Sequence, residues 1–350
     1  MRGALVIAQR TPEDVASAAR CDVAATHYAV VATHVNNQTI RLALHKNDFM
    51  SYKLKTAGWW EVKHPRELAA LAGQALPDPP ATFIDIGGHI GYYSILFALY
   101  GYSVVTIEAL SKNRDVLSKT ICMNPHLLGG GRIRVVPTAL GARPQQGCKV
   151  GSYFANVGNA EILCPGSGKL CCPERCNGCG LIDGSPYKSE KAAYASYLAG
   201  NWSFSVNRAS NKAHDKCRRD WDCCWVHCEP LTLRTLDEVL ESEVPHLLDS
   251  QTPVIAKIDI EGFECAAFAG GQSLFTRVRP FLVQVEALRV QTQECLHAEA
   301  KRHGYGVGER RGHDNNTVLY DRVRHPARVR HQSHARRPAS SGADLRSAYR

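Results

Sequence analysis

From residue 81 onward the chain repeats one pattern: a short unbroken apolar run, a turn-forming cluster, then apolar residues at helical spacing. ATFIDI reads as a fully buried strand, GYYSILFALYGY as a helix, SVVTIEA as a strand and SKNRDVLSKTICMN as a helix opened by Ser111 as its cap. RIRVVPTAL over residues 132–140 is the third strand. Strands alternating with helices predict parallel pairing with right-handed crossovers. The rhythm breaks over residues 141–252, too long for an ordinary connection. It resumes with the strand VIAKIDI, a helix over 265–275, the strand PFLVQVEA and a helix over 292–303. The pattern predicts an α/β fold, Rossmann-like and doubly wound around a mostly parallel sheet, with an insertion after the third strand.

Residues 1–80 read as a lead-in that packs on this core. TIRLALH over 39–45 alternates like a half-buried strand, and HPRELAALAGQAL over 64–76 has helical spacing until PDPP stops it. The expected division is therefore a lead-in over 1–80, a main domain over 81–320 containing the 141–252 insertion, and a tail over 321–350.

A chain of 350 residues that is 44% hydrophobic buries a sizeable core. No apolar run approaches the ~20 residues a membrane helix needs, so no membrane span is expected. The opening MRGALVIAQRTPEDV is a poor secretory signal, so either the protein is cytoplasmic, as expected here, or its true N-terminus is missing. The net charge of +9 invites a nucleic-acid reading, but the last 30 residues supply +6 of it through eight arginines against Asp321 and Asp344. The rest is close to neutral, and the tail reads as a disordered basic extension. No specific nucleic-acid partner is expected.

The candidate chemistry sits at two strand exits. Gly87, Gly88 and Gly91 lie where a buried strand must turn into a helix, so the backbone can approach a ligand and helix N–H groups are free. Asp85 ends that strand. Glu108 ends the next, near the ~20-residue offset of an acid that grips ribose hydroxyls. A nicotinamide dinucleotide would want G-x-G-x-x-G, which His89 and Tyr92 interrupt. D-x-G-G-x-x-G favours S-adenosylmethionine, with Asp85 suited to its cationic amino-acid end. In PVIAKIDIEGFE, Lys257, Asp259 and Glu261 share one face of a central strand, where charges are costly unless paired or at the open edge. Asp259 or Glu261 is the expected general base or hydroxyl anchor, Lys257 holds one of them ionised, and Glu286 lies across on the next strand. The bland alternative for Lys257 is a structural ion pair. The polar strand exit suits hydroxyls better than the face of a flipped base.

Taken together, DIGGHIGYYS, VVTIEA, Asn124, the TALG turn, KIDIEGFE and VQVEA resemble, in their order, the FkbM-type family of S-adenosylmethionine-dependent methyltransferases. The resemblance runs from about residue 47 to Tyr305. It implies a class I methyltransferase fold and methyl transfer, commonly to oxygen; with the polar strand exit, the expected acceptor is a hydroxylated small molecule or carbohydrate. It also implies a cofactor set of Asp85, Gly87, Gly88, His89, Gly91, Glu108, Ala109 and Ala139. His89 stands where the family usually has asparagine. A cysteine-stapled binding protein that has lost its chemistry is the alternative on the same fold, and a nicotinamide-dependent oxidoreductase is a third.

Nine of the 14 cysteines crowd into two clusters inside the insertion: Cys164, Cys171, Cys172, Cys176 and Cys179, then Cys217, Cys223, Cys224 and Cys228, with His214 and His227 beside them. Cys176 and Cys179 have knuckle spacing, and Cys224 with Cys228 could complete a structural zinc site. Disulfides are the equal alternative. Cys21, Cys122, Cys148, Cys265 and Cys295 are scattered and read as packing residues. Asn37, Asn201 and Asn315 open Asn-x-Ser/Thr triplets, which arise often by chance.

Overall fold

A computed structural model describes residues 28–46, 48–128, 131–153, 156–165, 225–311 and 316–322. The insertion cysteines from Cys171 to Cys224, His214, the triplets at Asn201 and Asn315, and the tail beyond Arg322 lie outside the described residues.

The lead-in forms a hairpin, β1 (Tyr28–Val35) and β2 (Gln38–His45), turned by Asn36 and Asn37, which both adopt left-handed backbone. Helix α1 (Phe49–Ala57) is capped by Asp48, whose Oδ2 accepts from the Ser51 N–H at 2.7 Å. The helix expected over 64–76 is only α2 (Arg66–Ala70), because Gly73 takes a left-handed turn and the Gln74 N–H bonds back to the Ala69 carbonyl.

The alternating pattern then folds as read. β3 (Thr82–Ile86), α3 (Tyr92–Leu99), β4 (Ser103–Ile107), α4 (Ser111–Met123), the short α5 (Pro125–Leu128) and β5 (Ile133–Val136) follow in turn. Leu110, not Ser111, occupies the cap of α4, and the Ser111 N–H and hydroxyl both donate to the Glu229 carboxylate. The third strand is split. Pro137 has no N–H to continue the ladder, so β5 ends at Val136 and β6 (Ala139–Leu140) joins another sheet. Beyond it run β7 (Gln145–Tyr153), β8 (Asn156–Leu163) and β9 (Trp225–Arg234), which with β6 form a four-stranded sheet in the order β6-β9-β7-β8. Helix α6 (Leu236–Glu243) falls within the 141–252 span, yet Leu236, Val239 and Leu240 pack into the main core. Its start is closed by a reciprocal Thr235–Glu238 capping box.

The chain returns through β10 (Val254–Ile258), α7 (Glu264–Ala269), β11 (Leu282–Val285), α8 (Val290–His303), β12 (Tyr305–Arg311) and β13 (Asn316–Asp321). The helix expected over 265–275 breaks at Gly270 and Gly271 and resumes as one wide turn over Leu274–Val278.

The main sheet has seven strands in the order β12-β13-β11-β10-β3-β4-β5. β13 runs against its two neighbours, so the other six strands point the same way. Every residue of β3, β10 and β11 is buried, as unbroken apolar runs covered on both faces require. Phe83 and Ile255 face one core with Leu96, Phe97 and Val116, while Ile84, Ile86, Ala256 and Ile258 face the other with Phe268 and Phe275. Burying these layers supplies the main stabilisation, at roughly 25 cal/mol per Å² of apolar surface.

Candidate active site

The parallel register lines up one transverse row of polar side chains. Gln284 pairs with Lys257, Lys257 with Asp85, and Asp85 with Thr106, all four buried. They share the sheet face of Phe83 and Ile255, beneath α3. Tyr93 and Ser94 of α3 sit over this row. The Ser94 hydroxyl donates to Asp85 Oδ2 at 2.6 Å and its N–H does so at 3.1 Å, while Lys257 Nζ stands 5.0 Å from the Tyr93 ring centroid. Lys257 also donates to Asp259 Oδ2 at 2.7 Å. Burial would lower the Lys257 ammonium, but Asp259, Asp85 and Glu61 outweigh it and hold the amine charged. Burial pushes the Asp85 carboxyl upward, and Lys257 and Ser94 only partly oppose it. Asp85 Oδ1 is buried with no hydrogen-bond partner among the described residues.

A cavity of about 350 Å³ opens where β3, β4, β10 and β11 end. Asp85, Gly87, Gly88, His89, Glu108, Ala109, Ala139, Lys257, Asp259 and Glu261 all line it, as does Glu286. Gly91 does not: it caps α3 in left-handed backbone and packs on Leu117. Gly87 has φ +80°, and a Cβ there would fall 1.7 Å from the Asp259 carbonyl oxygen. Its glycine is required by the approach of the β10 exit.

Glu108 is held by N–H donors. Its Oε2 accepts from the His89 N–H at 2.7 Å, and its Oε1 from the Leu110 N–H at 2.8 Å and Asn113 Nδ2 at 3.3 Å. A carboxylate offers about four acceptor positions, so roughly one remains for a ligand hydroxyl unless Asn113 yields. Burial pushes the Glu108 carboxyl up, against the pull of these donors and His89. His89, in left-handed backbone at φ +51°, places Nε2 3.4 Å from Asp48 Oδ1. Burial would lower this imidazole, but Asp48, Glu108 and Asp259 raise it overall. Asp48 is driven the other way: burial would raise it, and His89, His45 and Ser51 hold it well below the usual carboxylate range. The Gly158 N–H of β8 also donates to Asp48 Oδ1, and Asn113 Nδ2 donates to the Gly158 carbonyl. One network thus joins lead-in, parallel sheet and insertion.

On the other side, Asp259, Glu261 and Glu286 are half-buried, and one oxygen from each lies within 4.8 Å of the others. That spacing admits neighbouring hydroxyls, or a divalent cation taking oxygen ligands. Burial, with Asp259, Glu264 and Glu161 adding repulsion, pushes the Glu261 carboxyl up to about 8. Phe49, Met50, Trp60, Ile260 and Leu288 are apolar members of the cavity lining, and Leu288 is 56% exposed.

Residue order alone did not flag Asp48, Glu61 or Gly158. Glu61, in left-handed backbone, accepts from the Tyr93 hydroxyl at 2.7 Å and from Asn316 Nδ2 at 3.0 Å. Those partners lie 32 and 255 residues away. No local spacing carries such a signal. A charged residue beside two tryptophans in an otherwise apolar turn was the one available hint.

A sheet in which a single antiparallel strand is inserted next to the edge of a parallel array, with a glycine turn after one central strand and an acid at the end of its neighbour, is an α/β fold of the class I methyltransferase type. The chain belongs to the FkbM methyltransferase family: the model of the methyltransferase FkbM domain matches residues 85–305. That family implies methyl transfer, with S-adenosylmethionine as donor in general. Among solved structures it is similar to methyltransferase FkbM from Methylobacillus flagellatus KT, at 12% identity and TM-score 0.39, covering 71% of this chain and 45% of that one. This chain thus spans less than half of that protein. It is also similar to precorrin-6y C5,15-methyltransferase from Geobacter metallireducens GS-15, at 9% identity and TM-score 0.33, covering 79% and 90% of the two chains. Among curated proteins, none matches significantly.

Proposed function

We propose that this methyltransferase transfers the methyl group to oxygen, on a hydroxylated small molecule or carbohydrate. The observation that carries the reading is one cavity whose lining joins Asp85, Gly87 and Glu108 to the half-exposed Asp259, Glu261 and Glu286. With Asp48 and Glu61, seven carboxylates line it, against Lys257 and His89 as the only basic side chains of the described lining. Such a surface favours a positively charged cofactor. The orphaned Asp85 Oδ1 provides an acceptor for its ammonium end, and the spare position on Glu108 one for a ribose hydroxyl.

When bound, S-adenosylmethionine supplies a methyl group already activated on a cationic sulfur. The remaining work falls to the chain. Glu261 takes the acceptor hydroxyl proton onto its carboxylate, and its raised pKa of about 8 suits a base working near neutrality. Asp259, paired with Lys257, and Glu286 hold the acceptor by its hydroxyls. Met50, Trp60 and Leu288 exclude water from that side. Calorimetry with S-adenosylmethionine, followed by methyl-release assays on a panel of hydroxylated acceptors, tests the reading. Binding without turnover across the panel would favour the silent binding protein. Absence of binding would remove the cofactor assignment. A structural zinc on Cys176, Cys179, Cys224 and Cys228 is a separate proposal for the insertion, read by metal analysis of the purified protein.

A further inference from the structure

The acceptor side is assembled from two turns. One covers residues 259–264 after β10 and carries Asp259 and Glu261. The other covers residues 286–289 after β11 and carries Glu286. The first is internally braced, because Glu264 Oε1 accepts from both the Ile260 and Gly262 N–H groups at 3.0 Å. Cys265 is the next residue, so it moves with that turn.

Three links join the turns. The Glu286 N–H donates to the Ile258 carbonyl at 2.9 Å. Arg289 Nη2 reaches the Glu261 carbonyl at 3.5 Å and lies flat on Gly262, where a Cβ would come within 2.5 Å of the guanidinium. The third link is covalent: Cys265 of α7 is bonded to Cys295 of α8, 30 residues on. The first link fixes the strand exits, and the second joins the turns themselves, but only through a long bond to an exposed side chain. The disulfide is the covalent link, and it ties together the two helices, α7 and α8, that these turns lead into. A second described disulfide, Cys148–Cys164, closes the β7–β8 hairpin, whose Val150, Gly158, Ala160 and Ile162 also line the cavity. These two disulfides thus each brace an element that borders the same cavity.

We propose that the Cys265–Cys295 disulfide is a positioning staple for acceptor binding: it holds the Asp259–Glu261 turn against Glu286, and its reduction weakens acceptor affinity while leaving the cofactor side intact. The proposal rests on reading those three carboxylates as acceptor groups. Neither cysteine is fully buried, so a small dithiol reaches the bond. Two electrons and two protons pass from the dithiol to the two sulfurs, giving two thiols here and a disulfide in the reductant. Such a staple persists in an oxidising compartment, which argues against the cytoplasmic location expected from the N-terminal sequence.

The test compares oxidised protein, protein reduced with a dithiol, the C265S/C295S double variant, and C148S/C164S as a control at the β7–β8 hairpin. Kinetics are measured with the best acceptor of the panel, and amide hydrogen exchange is followed across the chain. Reduction and C265S/C295S should each raise the acceptor KM about tenfold with kcat within about twofold and S-adenosylmethionine affinity unchanged. Exchange should quicken over 259–264 and 286–289 but not at the Gly87 turn. An unchanged KM in both states overturns the proposal, as does a joint fall in kcat, cofactor affinity and melting temperature. Should C265S/C295S fail to fold, the C148S/C164S variant compared before and after reduction with the dithiol carries the same readouts, because its Cys148–Cys164 bond is already absent from both states. If the oxidised protein methylates nothing, the functional reading fails separately. Exchange then decides: selective quickening of the two turns supports the staple, and unchanged exchange overturns it.

Discussion

The two halves of the cavity use carboxylates in opposite ways. On the β3–β4 side, Asp85 and Glu108 are buried and held by fixed donors: Ser94 for one, and His89, Leu110 and Asn113 for the other. On the β10–β11 side, Asp259, Glu261 and Glu286 are half-exposed and crowd one another, with Lys257 as a fixed cation beneath. The first arrangement is preorganised and can offer few new positions to a ligand. The second keeps acceptor capacity in reserve and stores repulsion, which a hydroxyl proton or a cation would relieve. A site that binds one constant ligand and one variable ligand benefits from such a division, since preorganisation lowers the ordering cost only where the ligand never changes.

The sharpest way to break this contrast is to neutralise each side in turn. E261Q and D259N should each lower kcat by about 10²- to 10⁴-fold, with S-adenosylmethionine affinity nearly unchanged, in steady-state assays paired with calorimetry. Full turnover in both would remove the base assignment. E108Q should do the reverse. Its amide group would face an N–H donor, so cofactor affinity should fall about 10- to 100-fold with a loss of about 1–3 kcal/mol in stability, read by calorimetry and thermal melting.

The pH dependence sharpens the same comparison. A base must be deprotonated to act, so the wild-type rate should climb as pH rises through about 8, and E261Q should flatten that limb. The stability effect has the opposite sense. A raised carboxyl pKa means the folded state holds its proton longer than the unfolded chain, so stability falls as pH rises from the usual 4.5 toward 8. E261Q should therefore melt higher than wild type above that window and like it below. Smaller still, L288A should raise the acceptor KM a few-fold and leave cofactor affinity alone, because it removes only exposed apolar wall. A chelator should leave the rate unchanged. Loss of activity with rescue by a divalent cation would instead make the three acids a metal site.

Much of the scaffold could be read from order alone. Unbroken runs such as TFIDI and VIAKI become fully buried parallel strands, because only covered strands tolerate them. The glycine turn and the acid ending the next strand were equally readable, since both are local features. The departures share a cause as well. α2 stopped early at a left-handed glycine, Pro137 sent β6 to another sheet, and α6 joined the main core from within the supposed insertion. Each depends on which partner a segment meets. Cys122, Cys148, Cys265 and Cys295, read as packing residues, are disulfide-bonded for the same reason.

By itself, the order of residues determined the alternation of elements, the location of the glycine turn and the acids that end the strands, because these follow from backbone stereochemistry and burial along a short stretch. Tertiary structure alone decided that Gln284, Lys257, Asp85 and Thr106 form one row, that Glu61 comes back from the lead-in to Tyr93 and Asn316, and that Asp48 meets His89. Those contacts are products of strand register and chain return, and neither leaves a trace in local spacing.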